Sequence, residues 1–307
     1  MVGLDTSHVP AFVRLINDAP VKSSDGDSPK SPDRNVAVTA AFPGGNPEFP
    51  LSRDRLDAFT RQVSEMGVEI VDSLSELISR VDGVMIQSVD GTQHLDQARH
   101  SFEAGKPVFI DKPLAASFSD VLAIQQLGRR TGVPWFSASA MRYSPGYPEL
   151  HQHLTKQSIL AATTSCPLKV GPGHPDLFWY GVHGVDLLYS ILGTGCQQVQ
   201  CVSTGIADLV TGIWQNGRIG SCLAIRDESG ECGFGATVFT DHGSHGCHAS
   251  YDYGPIVDTI VSFFLNGKSP VPEIEMVEVF AFMAAAEISR KRLGEVVELT
   301  EILQNGD

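Results

Sequence analysis

The 307-residue sequence has no apolar run that approaches the roughly 20 residues needed for a membrane-spanning helix. Its first residues, Met1-Val2-Gly3-Leu4-Asp5, lack the basic and long apolar stretches of a secretory signal, so we expect a cytoplasmic protein. Basic residues are scarce: 22 lysines and arginines face 36 aspartates and glutamates, for a formal net charge of -14. This acidic balance argues against nucleic acid or an anionic membrane as a partner.

The sequence also lacks any Cys-x-x-Cys pair, although it contains six cysteines. All six lie in the second half, at Cys166, Cys196, Cys201, Cys222, Cys232 and Cys247. In a chain this long without an export signal, scattered cysteines indicate free thiols in a reducing compartment rather than a disulfide framework. The remaining composition is that of a globular protein, and the length allows two domains.

Strand-like and helix-like segments alternate through the first 143 residues. Apolar runs predict strands at Val2–Leu4, Asn35–Phe42, Val68–Val71, Gly83–Val89, Pro107–Ile110 and Pro134–Ser139. A helix containing Phe12 and Ile16 is predicted after a capping Thr6 or Ser7. Further helices are predicted at Leu56–Met66, Leu74–Ile78, His94–Ala104 and Phe118–Arg130. This alternation predicts an α/β fold with a parallel sheet, helices on both faces, and ligands at the carboxyl ends of the strands. Because the first strand is short, we expect a few strand residues to precede Met1.

The pattern changes after residue 143. A helix is predicted at Val182–Leu192, followed by strands at Val199–Thr204, Asp208–Trp214, Arg218–Arg226 and Gly235–Thr240 and by helices at Ile256–Leu265 and Glu275–Arg292. We therefore expect a first domain of residues 1–143 and a second, α+β domain of residues 144–307 with a mainly antiparallel sheet. The Ser/Pro/Asp-rich stretch Val21–Arg34 is interpreted as an inserted surface loop.

Phe109-Ile110-Asp111-Lys112-Pro113 places a lysine at the carboxyl end of the fifth predicted strand. In a doubly wound sheet, this position borders the crevice in which a ligand lies. The carboxylate of Asp111 can tune the charge of the lysine. The tripeptide alone is also typical of a surface turn, and only its place in the strand order favours a functional role.

Trp179-Tyr180-Gly181-Val182-His183-Gly184-Val185-Asp186 introduces the helix predicted in the second domain. His183 and Asp186 are three residues apart and share one helix face. A histidine held by a carboxylate suits proton transfer near neutral pH. The residues alone leave open an alternative, a capping or core histidine beside a structural aspartate.

With these motifs in this order, the chain resembles the Gfo/Idh/MocA oxidoreductase family, whose motifs are usually Glu-Lys-Pro and Asp-x-Gly-x-His-x-x-Asp. His94–Ala98, Ala104–Val108 and Met141–Pro145 are similar to other segments of that family. The resemblance implies a Rossmann-type doubly wound domain followed by an α+β domain with an open, mainly antiparallel sheet. It also implies NAD or NADP as cofactor, a sugar or cyclitol as substrate, and a homo-oligomer.

The same resemblance implies roles for particular residues. The catalytic residues would be Lys112, His183 and Asp186. The cofactor-binding residues would be Gly3, Asp5, Thr6, Ser7, His8, Ser88, Asp90, His94, Asp111, Lys112 and Arg142. Lys112 would lie near the nicotinamide and the substrate hydroxyl, and His183 would assist proton transfer.

The chain departs from the family pattern in its phosphate loop, which reads Gly3-Leu4-Asp5-Thr6-Ser7-His8 rather than Gly-x-Gly-x-x-Gly. Asp5 replaces the second glycine, where a side chain and its charge oppose a pyrophosphate, and His8 replaces the third. The ribose-binding acid after the second strand is absent, and nearby arginines leave NADP open. Trp179 replaces the aspartate that usually partners the histidine. The sequence therefore carries two functional hypotheses, an NAD(P)-dependent oxidoreductase and a relative without dinucleotide binding that serves as a sugar-binding or scaffold protein.

Residues 241–248 form a separate cluster, Asp241-His242-Gly243-Ser244-His245-Gly246-Cys247-His248. Histidine, cysteine and aspartate are ligands for zinc and other transition metals. The spacing matches no recognised zinc finger, however, and a Gly-rich hairpin turn is the alternative that we favour. No metal site is predicted.

Overall fold

The structure, a computed structural model, describes residues 1–17, 36–144, 146–147, 150, 157–227 and 229–305. The predicted loop Val21–Arg34 and Pro145 lie outside the described residues. The chain divides into two compact units. The first comprises Met1–Asp111, Leu127–Phe136 and Tyr253–Pro270, and the second comprises Lys112–Gln126, Ser137–Asp252 and Val271–Asp307. Because the chain passes between the units more than once, the domain bounds 1–143 and 144–307 remain a prediction.

The first unit is built on short strands. They are β1 (Ala40–Ala41), β2 (Glu69–Ile70), β3 (Val84–Ile86), β4 (Val108–Ile110) and β5 (Trp135–Ser137). Val2 forms parallel bridges to both Phe42 and Ile86, so the first residues of the chain lie between β1 and β3. The resulting order, β2-β1-Val2-β3-β4-β5, is that of a Rossmann sheet. The predicted α/β fold is therefore confirmed.

Helices alternate with these strands, as predicted. They are α1 (His8–Asn17), α2 (Pro50–Arg53), α3 (Leu56–Glu65), α4 (Leu74–Arg80), α5 (His94–Glu103) and α6 (Phe118–Thr131). Local caps set two of their starts, because Ser73 Oγ accepts from Glu76 N and Ser117 Oγ accepts from Asp120 N. The helix α8 (Gly254–Asn266) also belongs to this unit.

The second unit contains a seven-stranded sheet. Its strands are β6 (Ile159–Pro167), β7 (Cys196–Ser203), β8 (Ala207–Trp214), β9 (Ile219–Ile225), β10 (Phe234–Thr240), β11 (Gly243–Ala249) and β12 (Val297–Glu298). Their order is β11-β10-β6-β9-β8-β7-β12. β6 and β9 are parallel, while the other neighbours are antiparallel. The mainly antiparallel sheet is confirmed, but β6 and β11 were not predicted, because their small, polar and glycine residues lack a strong apolar alternation.

Helices cover one face of this sheet. They are α7 (Val182–Leu192), preceded by a π-helical turn (Leu177–Gly181), and α9 (Glu273–Lys291) and α10 (Leu299–Asn305). Close packing needs Gly184, since a Cβ there would lie 2.7 Å from Cys166 Sγ and 2.8 Å from Cys222 Sγ. Thr164 Oγ1 donates to the Gly184 carbonyl at 2.9 Å. This packing holds His183 and Asp186, one residue before and two after this glycine, in place over the sheet.

All six cysteines are free thiols, as predicted. In the part of the chain that the structure describes, no helix combines the length and apolar character that crossing a membrane requires.

Candidate functional site

The loop after the first strand begins with a glycine that no other residue can replace without strain. Gly3 has a φ of 80°, and a Cβ at this position would lie 2.3–2.5 Å from atoms of Ser88. Gly44, in the turn after β1, also has a positive φ, and a Cβ there would lie 3.6 Å from the Gly3 backbone. Gly3 therefore allows the backbone to pass close to Ser88, and Gly44 allows the left-handed turn after β1.

The carboxylate of Asp5 accepts hydrogen bonds from other residues of the first unit. Its Oδ1 accepts from Val89 N at 2.8 Å and its Oδ2 accepts from Ser52 Oγ at 2.6 Å. The residue is fully buried, and this burial raises the pKa of its carboxyl group. The side chain thus ties the first loop to the segments after β1 and β3. The repulsion of a pyrophosphate expected from the sequence is therefore weakened by two hydrogen bonds and a raised pKa.

His8 begins α1 and pairs with the carboxylate that precedes Lys112. Its Nδ1 lies 2.5 Å from Asp111 Oδ2, and both residues are buried. The imidazole packs against Phe12 and Tyr253, with ring centroids 5.6 and 5.0 Å away. The histidine at the third glycine position therefore connects the phosphate loop to the end of β4. Thr6 caps the turn, since its carbonyl accepts from Val9 N, while Ser7 is exposed.

The predicted residues after β3 stabilise their own loop. Ser88 Oγ is within 3.0 Å of both side-chain amide atoms of Gln97, and its carbonyl is 2.8 Å from His94 Nε2. Asp90 Oδ2 accepts from Asn46 Nδ2 at 2.7 Å. These contacts bring the ends of β1 and β3 together, so Ser88, Asp90 and His94 stabilise the loops at this edge of the sheet.

Gln87, also after β3, was missed by the sequence analysis. It is fully buried, and neither its amide oxygen nor its amide nitrogen has a hydrogen-bond partner among the described residues. An unsatisfied buried amide carries a cost of roughly 1–3 kcal/mol, which a bound ligand can relieve.

A cavity of about 520 Å³ in the first unit lies at the opposite edge of the sheet. It is lined mainly by apolar side chains, among them Met1, Val38, Met85 and Val261. Three of its lining residues, Val38, Gly83 and Pro107, precede β1, β3 and β4 and so lie at the amino ends of the strands, whereas ligands of such sheets bind at the carboxyl ends. The cavity holds none of the predicted site residues.

Lys112 is the first residue of the second unit, where its ammonium group lies by an aromatic ring. Its Nζ is 5.7 Å from the centroid of the Tyr180 ring. The peptide bond between Lys112 and Pro113 is cis. The Tyr180 ring in turn lies 5.2 Å from the His183 ring in an edge-to-face arrangement. The Tyr180 ring therefore lies close to both the predicted lysine and the predicted histidine. Tyr180 lies in the sequence motif around His183, but that motif did not predict a role for it.

The imidazole of His183 contacts a serine side chain. Its Nδ1 lies 2.6 Å from Ser139 Oγ, and both residues are buried. Asp186 Oδ2 instead accepts from Ser139 N at 2.9 Å. Asp186 thus contacts the backbone of Ser139, whose side chain contacts the histidine, and a direct His183–Asp186 pair stays a prediction. Ser139 lies two residues after β5 and caps the 3-10 helix Ala140–Tyr143, and the sequence did not predict its role.

Arg142 lies in a buried group of three charges. Its guanidinium donates to both carboxylate oxygens of Asp186, at 2.8 and 3.1 Å, and lies 2.7 Å from Glu275 Oε1. Burial lowers the pKa of Arg142, but the two carboxylates outweigh it and leave the pKa raised. Burial raises the pKa of Glu275. Arg142 was predicted to bind cofactor; in the structure its guanidinium is engaged by these carboxylates.

The cluster at residues 241–248 forms a hairpin. Thr240 pairs with Gly243, so Asp241 and His242 make the turn between β10 and β11. His245 and His248 are three positions apart on β11 and thus point to opposite faces of the sheet. Among the described residues, no group of three or more histidine, cysteine or acidic side chains could hold a metal ion. The strand geometry thus separates the ligands that are adjacent in the sequence.

Comparisons with known proteins agree with this architecture. The model of the Gfo/Idh/MocA family, described as an oxidoreductase family with an NAD-binding Rossmann fold, matches residues 52–138. Inositol 2-dehydrogenase of Gluconacetobacter diazotrophicus is 36% identical over 130 residues, which are 40% of this chain and 37% of that protein. Inositol 2-dehydrogenase 2 of Saccharopolyspora erythraea is 30% identical over 123 residues, or 38% of this chain and 36% of that protein. These matches thus span little more than a third of each relative.

A crystal structure of myo-inositol dehydrogenase from Lactobacillus casei, in complex with NAD(H) and myo-inositol, is similar along nearly the whole chain. Its TM-score is 0.72, with 97% of this chain and 95% of that chain covered, and the sequence identity is 15%. At this identity the likeness shows a shared fold. The family model thus matches residues 52–138, and along the rest of the chain the comparisons show the fold.

Proposed function

We propose that the protein is an NAD- or NADP-dependent oxidoreductase that acts on a hydroxyl or carbonyl carbon of a sugar-like or cyclitol substrate. The observation that carries the proposal is the meeting of Lys112 and His183 at the Tyr180 ring. A cation and an imidazole beside one ring provide charge stabilisation and proton transfer at one place. The inositol dehydrogenases among the relatives support a polyol as the substrate class.

The first unit fits a dinucleotide. Gly3 lets the loop after the first strand pass close to Ser88, and Gln87 offers an unsatisfied buried amide. The first turn of α1 presents main-chain N–H groups, which favour a phosphate. Asp5, whose carboxylate is hydrogen-bonded to Val89 N and Ser52 Oγ, is compatible with this use. Gly3, Thr6, Ser7 and Gln87 would hold the dinucleotide.

The chain's own residues account for the proton and the charge. The chemistry that a bound nicotinamide would supply is hydride transfer to or from the substrate carbon. In the oxidative direction, His183 or Lys112 takes the proton of the substrate hydroxyl. The Lys112 ammonium stabilises the negative charge that develops on that oxygen. Ser139 holds the His183 ring through Nδ1 during this transfer.

Thermal unfolding in the presence of NAD, NADH, NADP or NADPH tests the proposal, because a ligand that binds the folded state raises the melting temperature. We expect a rise of several degrees with one of these cofactors, and a Lys112→Ala variant that keeps the rise but loses turnover in a polyol screen. No rise with any cofactor would favour the other hypothesis, a sugar-binding protein without redox activity.

The uncovered face of the seven-stranded sheet favours a homo-oligomer. Phe239, Ala161, Ile219 and Ile213 are consecutive cross-strand partners and therefore share one face. The three large side chains of this row are 43%, 49% and 42% exposed. A row of exposed apolar residues is typical of an interface.

Light scattering should give a mass above that of one chain, and Ile219→Asp should reduce this mass. A wild-type monomer would contradict the proposed assembly. The cytoplasmic location remains a prediction.

A further inference from the structure

A second lysine lies at the tyrosine that joins Lys112 and His183. Lys169 is the second residue after β6, and its Nζ is 5.2 Å from the centroid of the Tyr180 ring. Lys112 Nζ lies 5.7 Å from the same centroid. Two ammonium groups therefore flank one ring at the place where the proposed reaction occurs. No feature of the sequence pattern singles out Lys169.

The charge of Lys169 is not neutralised by the described part of the chain. No described carboxylate lies within ion-pairing distance of its ammonium group. The aspartates of neighbouring segments are engaged elsewhere: Asp176 pairs with Arg290 and Arg226, and Asp227 accepts from Ser229 and Cys232 N. In a protein with a formal net charge of -14, the Lys169 ammonium group, without an ion-pair partner among the described residues, forms a local positive site.

The surroundings suit a polyol next to that charge. Tyr180 and Tyr251 form a hydroxyl–hydroxyl hydrogen bond of 2.9 Å, and Phe234 packs against both rings. Tyrosine rings give an apolar wall with a polar tip, which fits the carbon faces and hydroxyl groups of a sugar or cyclitol.

We propose that Lys169 is a substrate-binding residue and that the substrate is an anionic polyol, a sugar or cyclitol that carries a carboxylate or phosphate group. The anionic group binds Lys169 while the reacting hydroxyl lies at Lys112 and His183. This inference rests on the proposed function for the reaction, but the binding it describes does not require turnover.

Equilibrium binding measured by calorimetry tests the inference with two matched series of sugars. The first is glucose, glucuronate and glucose 6-phosphate; the second is galactose, galacturonate and galactose 6-phosphate. Within a series the ligands differ only at carbon 6, which is a hydroxymethyl group, a carboxylate or a phosphorylated hydroxymethyl group. Each is titrated into the wild type, Lys169→Met, Lys169→Arg and the control Lys268→Met, whose lysine is exposed in the first unit. The titrations are made with and without the dinucleotide that gives the largest thermal shift.

We expect an anionic member to bind the wild type at least about tenfold more tightly than its neutral parent, with the preference weakening at high salt. Lys169→Met should abolish the preference, while Lys169→Arg and Lys268→Met should keep it. The tighter of the uronate and the phosphate identifies the anionic group.

Three outcomes would each overturn the inference: equal binding of neutral and anionic sugars, a preference that survives in Lys169→Met, or no binding of any anionic sugar at millimolar concentration. A dinucleotide shift without an anion preference leaves the oxidoreductase proposal standing, and an anion preference without any dinucleotide shift removes that proposal but keeps the binding site.

Discussion

Ser139 Oγ lies 2.6 Å from Nδ1 of His183, so a neutral hydroxyl holds the histidine in a chain whose Trp179 replaces the usual aspartate partner. Ser139 Oγ also accepts from Met141 N at 3.1 Å, and Ser139 N donates to Asp186. The serine is therefore fixed on both sides and can orient the imidazole. In this protein the charged triad of Arg142, Asp186 and Glu275 supports the serine, and the serine supports the histidine.

Replacing Ser139 should affect proton transfer more than substrate binding. We expect Ser139→Ala to lower kcat by roughly tenfold, a part of what a positioned acid or base contributes, with a smaller change in KM. Ser139→Thr, which keeps the hydroxyl, should restore most of the rate. Steady-state kinetics together with imidazole nitrogen NMR shifts of His183 would measure both effects. Equal losses in the alanine and threonine variants would show that packing, and not the hydroxyl, matters.

Breaking the buried charge group should destabilise the fold. Arg142→Met leaves Asp186 and Glu275 without their cation, and removing one partner of a buried pair costs about 3–5 kcal/mol. The control Arg130→Met removes a largely exposed partner of Glu103 and should cost less than about 1 kcal/mol. Urea unfolding gives both values. Similar losses in the two variants would contradict the role of the buried group.

The cost of Arg142→Met should depend on pH in a defined direction. Burial already raises the pKa of Glu275, and loss of the guanidinium removes a contribution that lowers it. A carboxyl group with a raised pKa in the folded state is protonated there as the pH falls, which relieves the unpaired charge. The difference in unfolding free energy between wild type and variant should therefore shrink from neutral towards acidic pH. A difference that grows on acidification would contradict this account.

Neutralising Asp5 should tighten dinucleotide binding. Asp5→Asn keeps the shape and the acceptor for Val89 N but removes a negative charge near the phosphate loop, and we expect an affinity gain of roughly three- to tenfold at pH 8. Because burial raises the pKa of Asp5, the wild-type carboxyl group is protonated as the pH falls, and the two proteins should converge. Titration of the dinucleotide at several pH values measures this. A constant ratio at all pH values would count against a charge effect.

Gly3 should tolerate no side chain. Gly3→Ala forces a Cβ to within 2.4 Å of Ser88 N at a positive φ, so we expect a loss of about 3 kcal/mol or more and no dinucleotide-induced thermal shift. Gly105→Ala is the matched control, because its φ is 69° and no atom lies within 4 Å of the added Cβ. That variant should lose only about 1–2 kcal/mol, the cost of the left-handed conformation. Comparable losses would show that the close approach to Ser88 is unimportant.

The amino-acid sequence by itself determined the elements that depend on local patterns. Apolar runs and helical periodicity located the alternating segments of the first unit, including the strand that ends at Ile110 and the helix that contains His183 and Asp186. The motif around Lys112 placed it after that strand. These features depend on side-chain spacing within one segment, which is visible in the sequence.

Only the tertiary structure decided which side chains meet. Ser139 and His183 are 44 positions apart, and Ser52 and Asp5 are 47 apart, so neither pair follows from local spacing. Lys169 joins Lys112 and His183 at Tyr180 because β6, a strand without a clear apolar alternation, carries it there. Asp186 shares a helix with His183 and binds Arg142 and Ser139, which are 44 and 47 positions away in the sequence. The fold, and not local spacing, determines which partner lies within about 3 Å of a side chain.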